Sequence, residues 1–429
     1  MPASTVARYR ERVTHELDLM TADSDPNRIR KWFDAVRMGF HQTKGTDSQF
    51  EHFLADATAD GTTFRSVADP DDPEGMPVGT LAGFDRSVNA GLEVLPARLI
   101  TDITVRPTHR RQGMLRRMIT TDLADAHDRG LPVAALTVTE ATIYGRFGFG
   151  VSTTANRIEV DSSVKFRLHP GSGDDHGRVR VVEPEEAIDH INAVFATFHA
   201  TTRGSVDWPN FYQDWMSGRF DFDADAPSRK LRCALHLDRH GTVDGFVNYT
   251  IGERGDGPRA VQVQMLIGTN PAAYIGLWEY LAAIDLTDVV STGSARLDDP
   301  LMWAMVDRRG YKITGAGDRV WCRILDPVRC LSARPWRGTG SIVLDILDPM
   351  EFAAGRFRIE VTDGTATVSP TDAEADVTVP AEVLAGLWLG SSPVHQVAAA
   401  ARIHGDQEAL QRLADLMDLP DAPYGLTFF

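Results

Sequence analysis

The sequence predicts an α/β (α+β) fold in three successive modules, and three observations carry the prediction. An apolar run at residues 97–105 leads through a glycine-containing turn into a helical stretch at 114–127 and a second strand-like run at 131–138. A similar alternation returns between residues 178 and 326. From residue 327 onward the pattern changes to a hairpin and short amphipathic helices. A chain of 429 residues has room for this, since domains run to about 100–200 residues each.

In chain order, Asp25 and Pro26 read as the N-cap and first residue of a helix. Ile29, Trp32, Phe33, Val36 and Phe40 then recur at helical spacing, either as a buried stripe or, for the aromatic residues, as a surface that touches a substrate. A second helix is expected at 48–55 and strands at 63–67 and 78–84, giving a mixed sheet whose central strand, 97–105, delivers the chain to the glycine turn. The first module is expected to span 1–154, with the Gly-Ser-Gly-Asp-Asp run at 171–175 marking a loop. Strands at 231–237, 242–251 and 260–267 and a helix at 271–284 follow in the second module, 155–326. The third, 327–429, holds a hairpin of 357–361 and 365–368 around Asp363 and Gly364, and helices at 380–389 and 395–401.

The turn that opens the 114–127 helix carries the chemistry. A helix N-terminus presents backbone N–H groups that lack an intrahelical partner, and the helix dipole adds partial positive charge. Gly113 lets the backbone approach an anion closely, Arg110 and Arg111 neutralise it, and the N–H groups from Met114 onward face it, so the turn suits a pyrophosphate. An arginine-rich turn is also an ordinary solvated cap, so the next segment decides. Thr139 and Glu140 lead into Tyr144, which lies 31 residues after Gly113, the room one helix and one strand require.

The run Pro107-Thr108-His109-Arg110-Arg111-Gln112-Gly113-Met114-Leu115-Arg116, taken with Ile143-Tyr144-Gly145-Arg146-Phe147-Gly148-Phe149-Gly150, resembles the Eis (enhanced intracellular survival) group of the GCN5-related N-acetyltransferases (GNAT). Leu115 stands where most GNAT proteins have glycine or alanine, as Eis proteins also tend to have. The resemblance implies two tandem GNAT-like domains, the second degenerate, and a sterol-carrier-protein-like domain at the end. It implies acetyl-CoA as co-substrate, with the backbone of Ile103 and Val105 pairing with the pantetheine amides like an added strand. Tyr144 would protonate the departing thiolate, although an aromatic there also fits as a packing plug, as Phe147 and Phe149 do. Thr139 falls where the family places a hydroxyl near the thioester, and Glu140 where it places a turn-stabilising acid. The family's base is the carboxylate of its own C-terminal residue, which maps to Phe429; the ending Tyr424-Gly425-Leu426-Thr427-Phe428-Phe429 is apolar and aromatic, as a buried tail would be. Asp102 either adds negative charge to the acceptor pocket or is a solvated loop acid. Eis relatives assemble as hexamers, so the resemblance implies a homo-oligomer.

In the second module the corresponding turn is Gly268-Thr269-Asn270-Pro271. It has no basic residue, and Pro271 lacks an N–H, so it is a poor pyrophosphate cradle. A net charge of −16 disfavours nucleic acid as a partner and suits a cationic substrate, although acids that merely keep a surface soluble give the same balance. With the resemblance, it implies a cationic amine as acceptor, aminoglycoside-like, polyamine-like or lysine. Cys233, Cys322 and Cys330 are widely spaced and read as reduced packing residues of a cytoplasmic protein. Residues 1–18 have no run suited to a signal peptide, and no stretch reaches the roughly 20 apolar residues of a membrane span. No metal site is expected: Asp221, Asp223 and Asp225 begin like a calcium loop, but Ala226 and Arg232 occupy its glycine and glutamate positions, and His236 and His240 flank a turn. The competing functional classes are a non-catalytic CoA-binding protein and a lipid carrier acting through residues 327–429.

Overall fold

A computed structural model describes residues 16–172, 177–253, 255 and 257–429. Gly173, Asp174 and Asp175 of the expected loop, and all but the end of the 1–18 stretch, lie outside these residues. The chain forms two compact units, Met1–Phe84 with Thr101–Asp122, and Asp85–Ile100 with Leu123–Phe429.

The first unit contains β1 (Leu17–Thr21), α1 (Pro26–Gly39), α2 (Asp47–Asp60), β2 (Thr63–Val67), the start of β3 (Gly79–Asn89), the end of β4 (Val94–Val105) and most of α3 (Met114–Asp128). β2 pairs antiparallel with both β1 and β3. Asp25 caps α1 by accepting from the Asn27 N–H at 3.0 Å, with Pro26 at the first helical position. Ile29, Trp32, Phe33 and Val36 are buried, which resolves them as the core stripe. Phe40 departs from it: the helix ends at Gly39, where a Cβ would lie 2.5 Å from the Thr104 side chain, and Phe40 turns outward, 39% exposed. α2 outruns the expected 48–55 because a capping box of Thr46 and Gln49 starts it and left-handed Gly61 (φ 63°) stops it. Beneath the helices, Arg65 and Asp122 form a buried ion pair at 3.1 Å, and the indole of Trp32 donates to the Arg65 carbonyl at 3.0 Å.

The second unit opens with β5 (Val133–Leu136), α4 (Ala141–Tyr144) and β6 (Gly150–Val151). β4 runs parallel to β5 from Ala97–Val133 to Ile100–Leu136. β5 is shorter than the expected 131–138 because that ladder ends at Leu136 and because Pro132, which has no N–H, precedes it. Next come β7 (Thr154–Asp161), β8 (Arg178–Val182), α5 (Pro184–Thr201), α6 (Tyr212–Ser217), β9 (Arg232–Leu237), β10 (Val243–Ile251), β11 (Ala260–Gly268), α7 (Pro271–Ala282), β12 (Val289–Ala295), α8 (Leu301–Ala304), β13 (Tyr311–Asp318) and β14 (Trp321–Ile324). Seven of these strands form one sheet in the order β13-β7-β12-β11-β10-β9-β8, with Leu277, Trp278 and Leu281 of α7 in its core. β14 goes elsewhere. Although it ends the expected second module, it pairs antiparallel with β5 and β6.

The remaining elements are α9 (Pro327–Ala333), β15 (Gly340–Leu347), β16 (Gly355–Thr362), β17 (Thr365–Pro370), β18 (Val377–Pro380), α10 (Ala381–Trp388), α11 (Val394–Ala399), β19 (His404–Gly405) and α12 (Gln407–Met417). Their sheet runs β17-β16-β15-β18-β19. Asp363 (φ 48°) and Gly364 (φ 82°) make the two-residue turn whose left-handed backbone matches strand twist. α10 lies close against β6: the Ser152 hydroxyl donates to the Ala385 carbonyl at 3.0 Å, and Ser391 donates to Val151 at 2.6 Å. All three cysteines are buried and unpaired with one another.

Gly150 makes that approach possible, since a Cβ there would lie 1.9 Å from the Glu382 carbonyl oxygen. Gly145 has open space at the same position and an ordinary helical backbone. Gly150→Ala should therefore cost about 1–3 kcal/mol or more, while Gly145→Ala should fold like the parent. Thermal unfolding of the two variants side by side checks this, and equal melting temperatures would contradict the packing described.

Candidate active site

In the first unit, β4 ends in a short 3-10 turn, Pro107–His109, that leads to the arginines. The base of this turn is fastened by Arg106, which pairs with Asp69 at 2.8 Å and donates to the Met76 carbonyl at 3.0 Å. Arg111 (φ 64°) and Gly113 (φ 89°) are both left-handed, so the backbone doubles back before Met114 starts α3. Such alternation turns successive N–H groups into an anion-binding concavity. Arg110, Arg111 and Gly113 are exposed, whereas the Met114 side chain is buried and fixes the helix start. No carboxylate among the described residues pairs with Arg110 or Arg111, and a Cβ on Gly113 would meet nothing within 4 Å. The residues fit a pyrophosphate: two uncommitted cations and open space above unpaired donors.

Asp102 also belongs to this unit, next to Ile103 on β4. It is left-handed (φ 53°), and its carbonyl accepts from the Thr80 hydroxyl at 2.9 Å. A non-glycine residue in that conformation is strained and is held by its surroundings. The residue is half-buried, and burial pushes its carboxyl up to about 6. Asp102 is therefore no freely solvated loop acid. Ile103 and Val105 follow it as half-buried strand residues.

In the second unit, Thr137 immediately follows β5, and its hydroxyl donates to the main-chain oxygen of Phe429 at 2.5 Å. Thr139 is exposed on the bend that follows. Glu140 precedes α4 and accepts from the Thr142 hydroxyl at 3.1 Å, which stiffens the turn. Tyr144 ends α4, buried, with its ring edge-on to Phe149 at 6.3 Å between centroids. Burial, with the Glu140 carboxylate adding to it, raises its hydroxyl above the ordinary value, so it keeps its proton at neutral pH. Phe147 and Phe149 are the buried plugs, and Gly148 (φ 81°) passes against the Arg323 side chain.

The tail that brings Phe429 to Thr137 is held along its length. Residues 423–427 are buried, Tyr424 donates to the Ser294 carbonyl at 2.5 Å, and Thr427 donates to Val206. The Phe428 N–H donates to the Tyr212 hydroxyl at 3.0 Å, and that hydroxyl lies 3.4 Å from the Phe428 carbonyl. Neither Thr137 nor Tyr212 was found by sequence reasoning. Their partners lie 292 and 216 residues away, and no local pattern encodes such contacts.

The turn before α7 is built oppositely to the one before α3. Asn270 accepts from the Ala273 N–H at 2.9 Å, so the helix caps itself. Asp244 accepts from Asn270 at 2.7 Å and from His236, which sets a carboxylate beside the turn, unfavourable to an anion. A Cβ on Gly268 would lie 2.4 Å from the Tyr274 nitrogen, so no space remains there.

Comparison with known proteins agrees with this architecture. An acetyltransferase (GNAT) domain profile matches residues 23–152, another matches 204–324, and a sterol carrier protein domain profile matches 327–425. These define the class: an acyltransferase with two GNAT domains and a sterol-carrier-type domain, for which the fold implies acetyl-CoA as co-substrate and an amine as acceptor. A protein of Streptomyces avermitilis described as an N-acetyltransferase is 34% identical over 394 residues, covering 90% of this chain and 92% of its own. The N-acetyltransferase Eis of Mycobacterium tuberculosis is 31% identical over 344 residues, covering 79% and 82%. The crystal structure of Eis1 from Mycobacterium abscessus matches in fold with a TM-score of 0.81 at 23% identity, covering 96% of this chain and 100% of that one. The chain belongs to the Eis family of N-acetyltransferases. No helix among the described residues is long and apolar enough to cross a membrane.

Gly113→Glu would set a side chain and a negative charge in the open space over the turn. It should weaken acetyl-CoA binding by about 100-fold, the scale of one or two charge-assisted hydrogen bonds lost. Calorimetry on the folded variant checks this, and the same titration of the parent should give one acetyl-CoA per chain. Unchanged affinity, or a stoichiometry of two, would contradict the assignment of the two turns.

Proposed function

We propose that the chain transfers acetyl from acetyl-CoA to primary amines of cationic small molecules, aminoglycoside-like or polyamine-like, or of lysine. The observation that carries the cationic acceptor is Asp102, a half-buried carboxylate in β4 with no cationic partner among the described residues. The acidic balance of the chain, −16, draws cations in the same direction.

In this reading Arg110, Arg111, Gly113 and the N–H groups from Met114 hold the pyrophosphate, and the Ile103 and Val105 backbone pairs with the pantetheine. The Thr139 hydroxyl would stand near the thioester. The Phe429 carboxylate takes a proton from the acceptor ammonium, which frees the nitrogen lone pair to form the new C–N bond. Tyr144 gives its proton to the sulfur as the C–S bond breaks, and the second proton, shed by the nitrogen as it becomes the amide, restores the tyrosine hydroxyl. The buried tail supports Phe429 as the base, because it holds that residue on Thr137, at the end of the strand that leads to Tyr144. We read the modules as 1–154, 155–326 and 327–429, and the protein as a cytoplasmic homo-oligomer, hexameric by its resemblance to Eis relatives.

Tyr144→Phe should retain acetyl-CoA affinity and lose turnover by about 100-fold to 10,000-fold, the usual worth of a general acid. Residues appended after Phe429 convert its carboxylate to an amide while keeping every side chain, and should abolish most transfer at neutral pH. Thiol release measured with both variants tests the reading; parental turnover in either removes that residue from its role.

Asp102 gives a pH signature. Its raised pKa leaves it charged above about pH 6 and neutral below, so KM for a diamine should climb as pH falls through about 6. Asp102→Asn should flatten that dependence and raise KM at pH 7.5 by roughly tenfold or more. Steady-state kinetics across this range, with a monoamine for comparison, would show no difference between parent and variant if Asp102 played no part.

A further inference from the structure

We infer that Thr137 and Tyr212 are positioning residues for the reaction, together fixing the Phe429 carboxylate in its working place; this rests on the reading of that carboxylate as the base. Thr137 donates directly to the Phe429 oxygen at 2.5 Å from the end of β5. Tyr212, on α6, engages both main-chain groups of Phe428, accepting from its N–H at 3.0 Å and facing its carbonyl at 3.4 Å. One hydroxyl thus fixes the peptide before the terminal residue and another fixes the terminal oxygen, leaving the carboxylate few ways to turn.

The surroundings are built to hold the clamp still. Tyr212 is fully buried, between Trp208 at 4.9 Å and Trp215 at 5.2 Å ring to ring, and burial raises its hydroxyl well above the ordinary value, so it remains a neutral donor and acceptor. Phe428 packs its ring on Tyr212, Phe211 and Trp215 at 5.2–5.7 Å. A chain end is normally frayed, because nothing repays the entropy of ordering it. Here the ordering is supplied by side chains of the second GNAT domain, whose own turn before α7 is closed to an anion. Holding the last residue is a task that explains Tyr212 and its aromatic cage without any cofactor in that domain.

The clamp acts on placement of the base, not on binding, and a misplacement of about 1 Å can cost about 100-fold in rate. Thr137→Val keeps the shape and removes the donor, so it should lower kcat by about tenfold to a hundredfold with acetyl-CoA affinity and acceptor KM little changed. Thr137→Ser should restore most of kcat, which a loss of packing alone would not allow. Tyr212→Phe keeps the ring in its cage and should likewise reduce kcat with KM preserved. In the protein extended beyond Phe429, Thr137→Val should have no further effect. If extension abolishes transfer while Thr137→Val and Tyr212→Phe both keep parental kcat, the clamp is wrong and the base stands. If the extended protein keeps full activity, the reading of the base itself fails. Equal loss in Thr137→Val and Thr137→Ser also overturns the positioning role.

Discussion

One hydroxyl, on Thr137, meets the oxygen of Phe429 across 292 residues of chain, and much of the second unit is arranged so that this contact can exist. The tail must cross the second GNAT domain to reach the end of β5. It does so by burying Tyr424 and Leu426 in the core formed by α5, α6, β9 and β10. Hydrogen bonds to Ser294 and Val206 fix its path, and Tyr212 fixes its last peptide. A domain without a competent anion turn supplies the wall on which the end of the chain lies, and the sterol-carrier-type domain supplies the tail itself.

The two strand–turn–helix junctions show how little separates an open turn from a filled one. Before α3 the backbone donors are left open, the arginines have no carboxylate partners, and two left-handed residues curl the chain around empty space. Before α7 the Ala273 N–H is taken by Asn270, and Asp244 sets a negative charge beside the turn. An orphaned helix terminus costs stability unless something satisfies it, and the two domains meet that demand in opposite ways. One leaves the deficit open; the other closes it with its own side chains.

The features legible in the sequence were those encoded locally. Asp25 and Pro26 announced α1, Asp363 and Gly364 announced their hairpin, and the run from Arg110 to Met114 announced a helix start with a charge surplus. Phe147 and Phe149 were correctly read as plugs. Contacts made at a distance were not legible. Nothing in 321–324 signals that β14 joins β5 and β6, because its apolar pattern fits either sheet. Phe40 carries the right spacing for the stripe, but the helix ends at Gly39, whose backbone lies close to Thr104, and Phe40 falls past that end, a tertiary fit that spacing cannot express. The left-handed backbone of Asp102 and the reach of Thr137 and Tyr212 belong to the same class. For each, the sequence names the residue and only the fold supplies its neighbour.

The close approach of α10 to β6 has a consequence for how such a protein can change over generations. With Gly150 against the Glu382 carbonyl, and with the hydroxyls of Ser152 and Ser391 each donating to a carbonyl of the opposite backbone, the C-terminal module is joined to the sheet of the catalytic one at close quarters. Such a joint tolerates drift at side chains other than these three, but not the exchange of one module for a foreign copy, whose helix would have to present the same carbonyls in the same places. A recombinant that traded its last hundred or so residues with a distant cousin would lose its inner seam along with its tail.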